Sequence, residues 1–417
     1  MAAPTSSRTG SVARNRLLSL RDHPFTGAQI ALLLGGLLVN VGSFSVYPYL
    51  AVLLRDRTGL GMAQVGVVLG AATLVQFASA PLSAALAERI GLQRSLRGAM
   101  VLYSLGGGAF LLGATGPVST VVGLFLISSG GSLYSPAYRS YLVHGADPQQ
   151  RPRLVSAGNA ASNLGVALGP VLGALLIQRP SSMFAVVTVV YAILGVWHFF
   201  LPRERMVPDA PPVEPYHRML HGIVVLPFVV TALSVYLYMQ FYQYLSSYAE
   251  GRVAALFYGV AMMGYSLGLV LVQPLVAHRV ERMSHPSAMA IGFGFLATGM
   301  VAFAGGNMFT IGAGVAAISV GNAVLFLKND LMALAGSKRS ATAVFGQQRL
   351  AVGVGSFLSG VVGGSVYGLF ERAGQLSGFW LVVAAQCILL PPLVVAVVRR
   401  LRRLVPRTEE VRSARSG

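Results

Sequence analysis

Twelve apolar runs of roughly twenty residues, almost free of charge, fill this chain and restrict it to one class of fold. At about 1.5 Å per residue, such a run coiled as a helix crosses a hydrocarbon layer of about 30 Å. The runs lack the alternating pattern of a membrane β-strand, and lipid admits only helices or closed barrels, so the spans are expected to be helices. Composition agrees: 54% of the 417 residues are hydrophobic, 11% are charged and mean hydropathy is +0.67, whereas soluble domains carry about 25% charged residues. The expected fold is an all-α integral membrane protein, with spans near 27–54, 62–87, 98–115, 118–142, 154–177, 182–201, 222–248, 254–277, 287–305, 308–334, 341–369 and 374–398.

The formal charge of +18 and pI near 10.7 suit nucleic acid in a soluble chain, but the basic residues lie between spans and in the tails. Numbering the spans from the first, 23 of them fall on the side of the N-terminus and five (Arg55, Arg57, Arg179, Arg252, Arg372) on the other. That bias predicts both termini in the cytoplasm, with the lipid bilayer rather than nucleic acid as partner. Arg139, Lys328 and Arg349 are left within spans. The segment 202–221, with Pro202, Pro208, Pro211, Pro212 and Pro215, reads as a linker between bundles at 27–201 and 222–398. Residues 1–26 and the basic 399–417 read as cytoplasmic tails. No apolar core with a cleavage site precedes the first span, so no cleaved signal peptide is expected. The single cysteine, Cys387, excludes an intrachain disulfide.

The halves echo each other. Pro81-Leu82-x-Ala84-x-x-x-Glu88-Arg89 returns 193 residues on as Pro274-Leu275-x-Ala277-x-x-x-Glu281-Arg282, and Gly66 pairs with Gly259 at the same offset. Arg151, Gly158 and Gly165 pair with Arg339, Gly346 and Gly353 at an offset of 188. Ordered echoes in corresponding spans predict two related bundles around a central cavity. In the fifth span Gly158, Gly165, Gly169 and Gly173 form one narrow stripe beside Pro170, while Ser156, Asn159 and Asn163 lie on another face. This predicts a helix that slides against a partner on its smooth side and shows amides to a cavity.

Gly165-x-x-x-Gly169-Pro170-x-x-Gly173 resembles the antiporter motif in the fifth helix of exporters of the major facilitator superfamily, with Ala174 where the family form has a further glycine. The stretch Ala84-Ala85-Leu86-Ala87-Glu88-Arg89-Ile90-Gly91-Leu92-Gln93-Arg94 resembles the superfamily's signature loop. It departs at Ala84, at Glu88 for aspartate and at Leu92 for a basic residue. The resemblance implies that Glu88 holds the end of helix two against helix eleven in an outward-open state; a helix-end glutamate beside solvated arginines is the alternative. Arg139, a basic residue within a span that calls for a neutralising neighbour, is the candidate partner. Val41-Gly42-x5-Pro48, the run from Ser129 to Arg139 and Pro148-Gln149-Gln150-Arg151 are similar to segments of drug exporters. An arginine common in the outer half of helix four has no counterpart; Ser128 and Ser129 stand there.

The resemblance implies a twelve-helix, two-bundle transporter exporting drugs or amphiphilic small molecules from bacteria by alternating access and proton antiport. An importer of a nutrient or peptide would show charged pocket residues in spans 1, 7 or 8. A lipid-acting enzyme would need a carboxylate or histidine pair at one interface. A monomer without cofactor is expected. No G-x-x-x-x-G-K-[ST] loop offers ATP a seat, and no metal-ligand or catalytic set is seen.

Cavity candidates are Asn40, Ser43 and Tyr47 on one face of the first span, Tyr236, Gln240 and Gln243 on one face of the seventh, and Tyr134, Asn159, Asn163, Tyr238, Tyr242, Tyr265, Gln273, Asn322, Gln347 and Gln348. Such uncharged, aromatic lining suits amphiphiles held by stacking and burial. Tyr244 and Tyr248 are expected in an interfacial belt. Asp330 is the only carboxylate well inside a span, and Lys328 lies about 200° around the helix from it. It is the proton-carrier candidate, with hydration or pairing to Arg349 as the alternative.

Overall fold

A computed structural model describes residues 25–112, 116–147, 149–202, 220–339 and 341–404. The expected tails, and all but the ends of the linker, lie outside the described residues. Only helices occur among the described residues. They are α1 (Gly27–Thr58), α2 (Met62–Ala78 with Ala80–Ile90), α3 (Leu92–Leu112), α4 (Pro117–Val143), α5 (Arg151–Leu176) and α6 (Pro180–Phe199), then α7 (Val225–Ala249), α8 (Ala255–Arg282), α9 (His285–Phe303), α10 (Met308–Gly336), α11 (Ala341–Leu358 continued to Gly364–Arg372) and α12 (Leu376–Leu404). Eleven are long and apolar enough to span a membrane, and α2 becomes the twelfth when its halves, bent by 47°, are taken together. The protein is a multi-pass membrane protein of two six-helix bundles.

Local chemistry explains the irregular points. Pro81 removes an N–H at the bend of α2, and the hydroxyls of Ser79 and Ser83 both meet Ser132 Oγ of α4 at 2.8 Å. Pro48 sits in a short 3-10 turn within α1. Gly91, at φ 99°, closes α2 in a conformation that side chains avoid. A π turn, Ser359–Gly363, interrupts α11.

Glycines set how closely the helices approach. A Cβ on Gly165 would lie 2.5 Å from the Leu37 carbonyl, on Gly169 2.7 Å from Phe44 backbone, and on Gly173 2.1 Å from the Ser45 carbonyl. The α5 stripe is therefore sunk into α1 of its own bundle. Tyr49, at the break in α1, donates to the Pro170 carbonyl at 2.7 Å, which occupies the backbone beside the proline. In the other half, Gly355 would meet the Ala232 carbonyl of α7 at 2.3 Å. The packing echo of Gly165 is thus Gly355. Gly353, its partner in the sequence repeat, points at Phe77 of α2 instead, because two residues turn a helix by about 200°.

Between bundles, Gly66 and Gly360 sit backbone to backbone, and a Cβ on Gly66 would lie 2.1 Å from the Gly360 carbonyl. Gly259 of α8 likewise faces the Pro170 carbonyl of α5 at 2.7 Å. Gly66 and Gly259 therefore hold equivalent places at the α2–α11 and α8–α5 seams, as two related bundles require.

Candidate functional site

The seams are tight at one end of the molecule, called here the far end, where α1, α7 and α11 finish. Arg55 of α1 pairs there with Glu371 of α11 at 2.8 Å and with Glu250, just past α7, at 3.2 Å. These are the only ion pairs among the described residues. Tyr258 of α8 donates to the Pro48 carbonyl at 3.0 Å and packs edge-on against Tyr49 at 5.3 Å. Tyr244 is fully buried beside Gly66, with its hydroxyl on the Gly360 carbonyl at 3.0 Å. Tyr248 is fully buried too and bonds Ser377 at 3.1 Å. Neither belongs to an interfacial belt, because each is a packing residue with a bonded hydroxyl.

Toward the middle, Tyr238 stacks on Tyr265 at 5.6 Å, lies 5.9 Å from Tyr242 and meets the edge of Phe326 at 6.0 Å. Asn322 donates to the Tyr265 hydroxyl at 3.0 Å while its own Oδ1 has no protein partner. Across the seam stands Tyr47, close enough to Tyr242, Tyr103 and Tyr191 for mutual electrostatic influence, with Gln76 beside it. The buried hydroxyls of Tyr47 and Tyr242 make no hydrogen bond to protein. Fully buried polar groups are normally bonded, so this group of rings offers stacking faces and free hydroxyls from both bundles at once.

The end carrying the described chain termini differs. Glu88, Arg89, Arg94 and Arg139 are exposed, and none has an ion pair among the described residues. Asn159 and Asn163 are exposed on the α5 face whose other end, at Pro170 and Ala174, packs on Gly259. One face of α5 is therefore covered at the far end and open toward the termini. Asp330 is partly buried with Arg349 as its nearby countercharge, yet no contact within 4 Å joins them. Lys328 is fully engaged elsewhere: its ammonium donates to the carbonyls of Val280 and Glu281 at 3.1 Å and of Met283 at 2.6 Å, tying off the end of α8.

Two pseudo-symmetric bundles that meet around a polar aromatic middle are an architecture built from internal repeats, as in many secondary transporters. The family model of the Major Facilitator Superfamily matches residues 32–326. The chain belongs to the major facilitator superfamily. Multidrug resistance protein MdtH of Salmonella typhi is 23% identical over 367 residues, covering 84% of this chain and 89% of that protein, and the MdtH of Salmonella arizonae is 23% identical over 363 residues. Among solved structures, nucleoside transporter NupG superposes with a TM-score of 0.75 at 12% identity, covering 87% of this chain and 98% of NupG. An auto-inhibited POT family peptide transporter follows at 0.72 and 14%, covering 90% and 97%. The protein is a transporter of small molecules, not an enzyme.

Within this superfamily fold several sequence candidates lie away from the central seam. Gln240 is turned to α12, donating to Gln386 Oε1 at 3.3 Å, because it lies about 200° around α7 from both Tyr238 and Tyr242. Gln347 donates to the His221 carbonyl at 3.1 Å and so anchors the entry to α7. Tyr134 stacks on Tyr138 at 5.4 Å with His198 of α6 at its edge, inside the N-terminal bundle, and reaches the seam only through Tyr103, which it meets edge-on at 6.5 Å. Asn40 spends its amide on the Gly36 carbonyl at 2.8 Å and backs onto Gly165. The Gly165, Gly169 and Gly173 stripe joins α5 to α1 rather than to a sliding partner. Sequence reasoning missed Tyr103 and Tyr191, which stack at 4.6 Å near Tyr47. The ion pairs of Arg55 with Glu250 and Glu371 were missed as well. Their signal was opposite charge at the ends of odd-numbered spans from different bundles.

Proposed function

We propose that this chain exports drug-like amphiphiles across a bacterial cytoplasmic membrane, with both termini inside and proton entry as the driving force. The observation that carries the reading is the tyrosine group at the seam. Tyr242, grouped with Tyr238 and Tyr265, lies near Tyr47 of the other bundle, and the hydroxyls of Tyr47 and Tyr242 are unbonded, which suits ligands of varied shape held by stacking with few directional contacts. The name of the MdtH relatives and the span-five motif supply the direction. The basic bias of the termini side supplies the orientation, so the far end is taken as extracellular and the structure as inward-facing. Asp330 is assigned the proton because it is partly buried in a span and unpaired at contact distance. In proteoliposomes with an imposed pH gradient, Asp330→Asn is expected to lose most gradient-driven drug movement while still binding drug. Unchanged gradient-driven movement removes the proton from Asp330.

A second reading, uptake of a small polar solute, is favoured by one observation: Arg139, Asp330 and Arg349 put charge near the seam. Accumulation of a panel of lipophilic cations and antibiotics in cells with and without the protein separates the two. Lower accumulation in its presence supports export.

A further inference from the structure

Arg349 is a cation without a settled partner in the middle of a membrane protein. It sits on α11 one helical turn from Gly353, the residue that meets Phe77 of α2, and its guanidinium stands 5.7 Å from the centre of the Phe77 ring. The charges that act on it are Asp330 of α10 and Arg139 of α4, one from each bundle. Neither arginine makes an ion pair or a hydrogen bond among the described residues, and both are exposed. Lys328 is the contrast, with its donors on three carbonyls. A guanidinium at membrane depth is costly unless neutralised, and the one carboxylate that acts on Arg349 makes no ion pair with it, while a second guanidinium, Arg139, acts against it. Phe77 follows Gln76, the neighbour of Tyr47, so the arginine lies on the same seam as the tyrosine group, one step toward the open end.

We propose that Arg349, with Arg139 across the seam, receives an anionic head on the transported molecule: a carboxylate, sulfonate or phosphate whose apolar body stacks on the tyrosines. The planar fork of a guanidinium matches the paired oxygens of such groups. Arg349 faces the opposite bundle through Phe77 rather than lipid, so the anion is substrate and not a bilayer headgroup. Asp330 is its resident competitor. A bound anion and a proton on Asp330 therefore favour each other, which leaves exchange against protons to neutral and cationic amphiphiles. The proposal rests on the amphiphile-transporter reading and adds the charge of the ligand.

The test uses two fluorescent probes with the same aromatic body, dansyl-γ-aminobutyrate (anionic) and dansylcadaverine (cationic), titrated against the full chain in phosphatidylcholine nanodiscs. The expected result is tighter binding of the anionic probe, weakened about tenfold by Arg349→Gln and about threefold by Arg139→Gln, with Arg349→Lys in between. Asp330→Asn is expected to tighten it about threefold, since a competing charge is removed. Dansylcadaverine affinity should not fall in either arginine variant, which also reports that they are folded. Equal binding of the anionic probe by the parent and Arg349→Gln, or weaker binding in Asp330→Asn, overturns the proposal. Loss of anionic-probe binding when a quarter of the lipid is phosphatidylglycerol gives the site to headgroups and overturns it as well. If only the cationic probe binds the parent, this proposal fails while the amphiphile reading stands. If neither binds, both fail.

Discussion

The α5–α1 contact and the α2–α11 contact are built from the same residue and serve opposite purposes. In both, glycines bring backbones so close that a Cβ would lie 2.1 Å from a carbonyl oxygen, at Gly173 in the first and Gly66 in the second. The first lies inside one bundle, the second between the two. If the bundles rock as bodies around a fixed site, the α5–α1 contact persists through the cycle and the α2–α11 contact has to break once in each. Close approach therefore does not by itself mark a moving surface. What separates the two is their company: the seams between the bundles come with Arg55, Glu250 and Glu371 and, at the α8–α5 seam, with Tyr258, whose side chains reach the other bundle.

Substitution turns this contrast into measurements. Gly169→Leu, facing Phe44 backbone at 2.7 Å, is expected to have the largest effect, since overpacking against backbone costs about 3 kcal/mol or more in every conformation. The chain should still insert, because leucine is more apolar, but the yield of monodisperse protein and the thermal midpoint should both collapse. A variant with parental stability would mean that α5 and α1 are not locked together. Gly66→Leu should come next: stable protein, transport lost and the far end unable to close, read as increased labelling of a cysteine placed at Leu69. Parental labelling and transport would remove the distinction between the two contacts. The smallest expected effect is that of Arg55→Gln. Half-exposed ion pairs are worth about 0.5 kcal/mol each, so losing two should shift the population toward far-end opening roughly fivefold. The same labelling assay reads it, and salt should mimic it.

The sequence was most informative where one residue type answers to one physical demand. Apolar length set the spans, and the third begins six residues earlier than expected, at Leu92, because Arg94 and Arg97 interrupt the apolar run there, while its expected end at 113–115 lies outside the described residues. Gly66 and Gly259 were paired correctly because an insertion-free offset joins α2 to α8. Gly165 was mispaired with Gly353 because α11 departs from that offset, and the packing partner lies two residues further on. Tyr238, Tyr242 and Tyr265 were legible as aromatic residues in spans, and the structure groups them. Gln240 and Gln347 were not separable from them by type, since an amide serves a cavity, a neighbouring helix or a stray carbonyl equally well.

The sequence alone determined that this chain crosses a membrane about twelve times as helices in two related halves, because lipid leaves the backbone no other way to satisfy its hydrogen bonds. It also determined the charge asymmetry between the two sides. Only the tertiary structure decided which face of each helix meets which neighbour. In lipid an apolar residue gains nothing by turning inward, so the hydrophobic pattern that orients soluble helices is silent. Contacts hundreds of residues apart, such as Arg55 with Glu371, then settle which end of the seam is shut, and the glycine that lets two backbones touch settles how tightly.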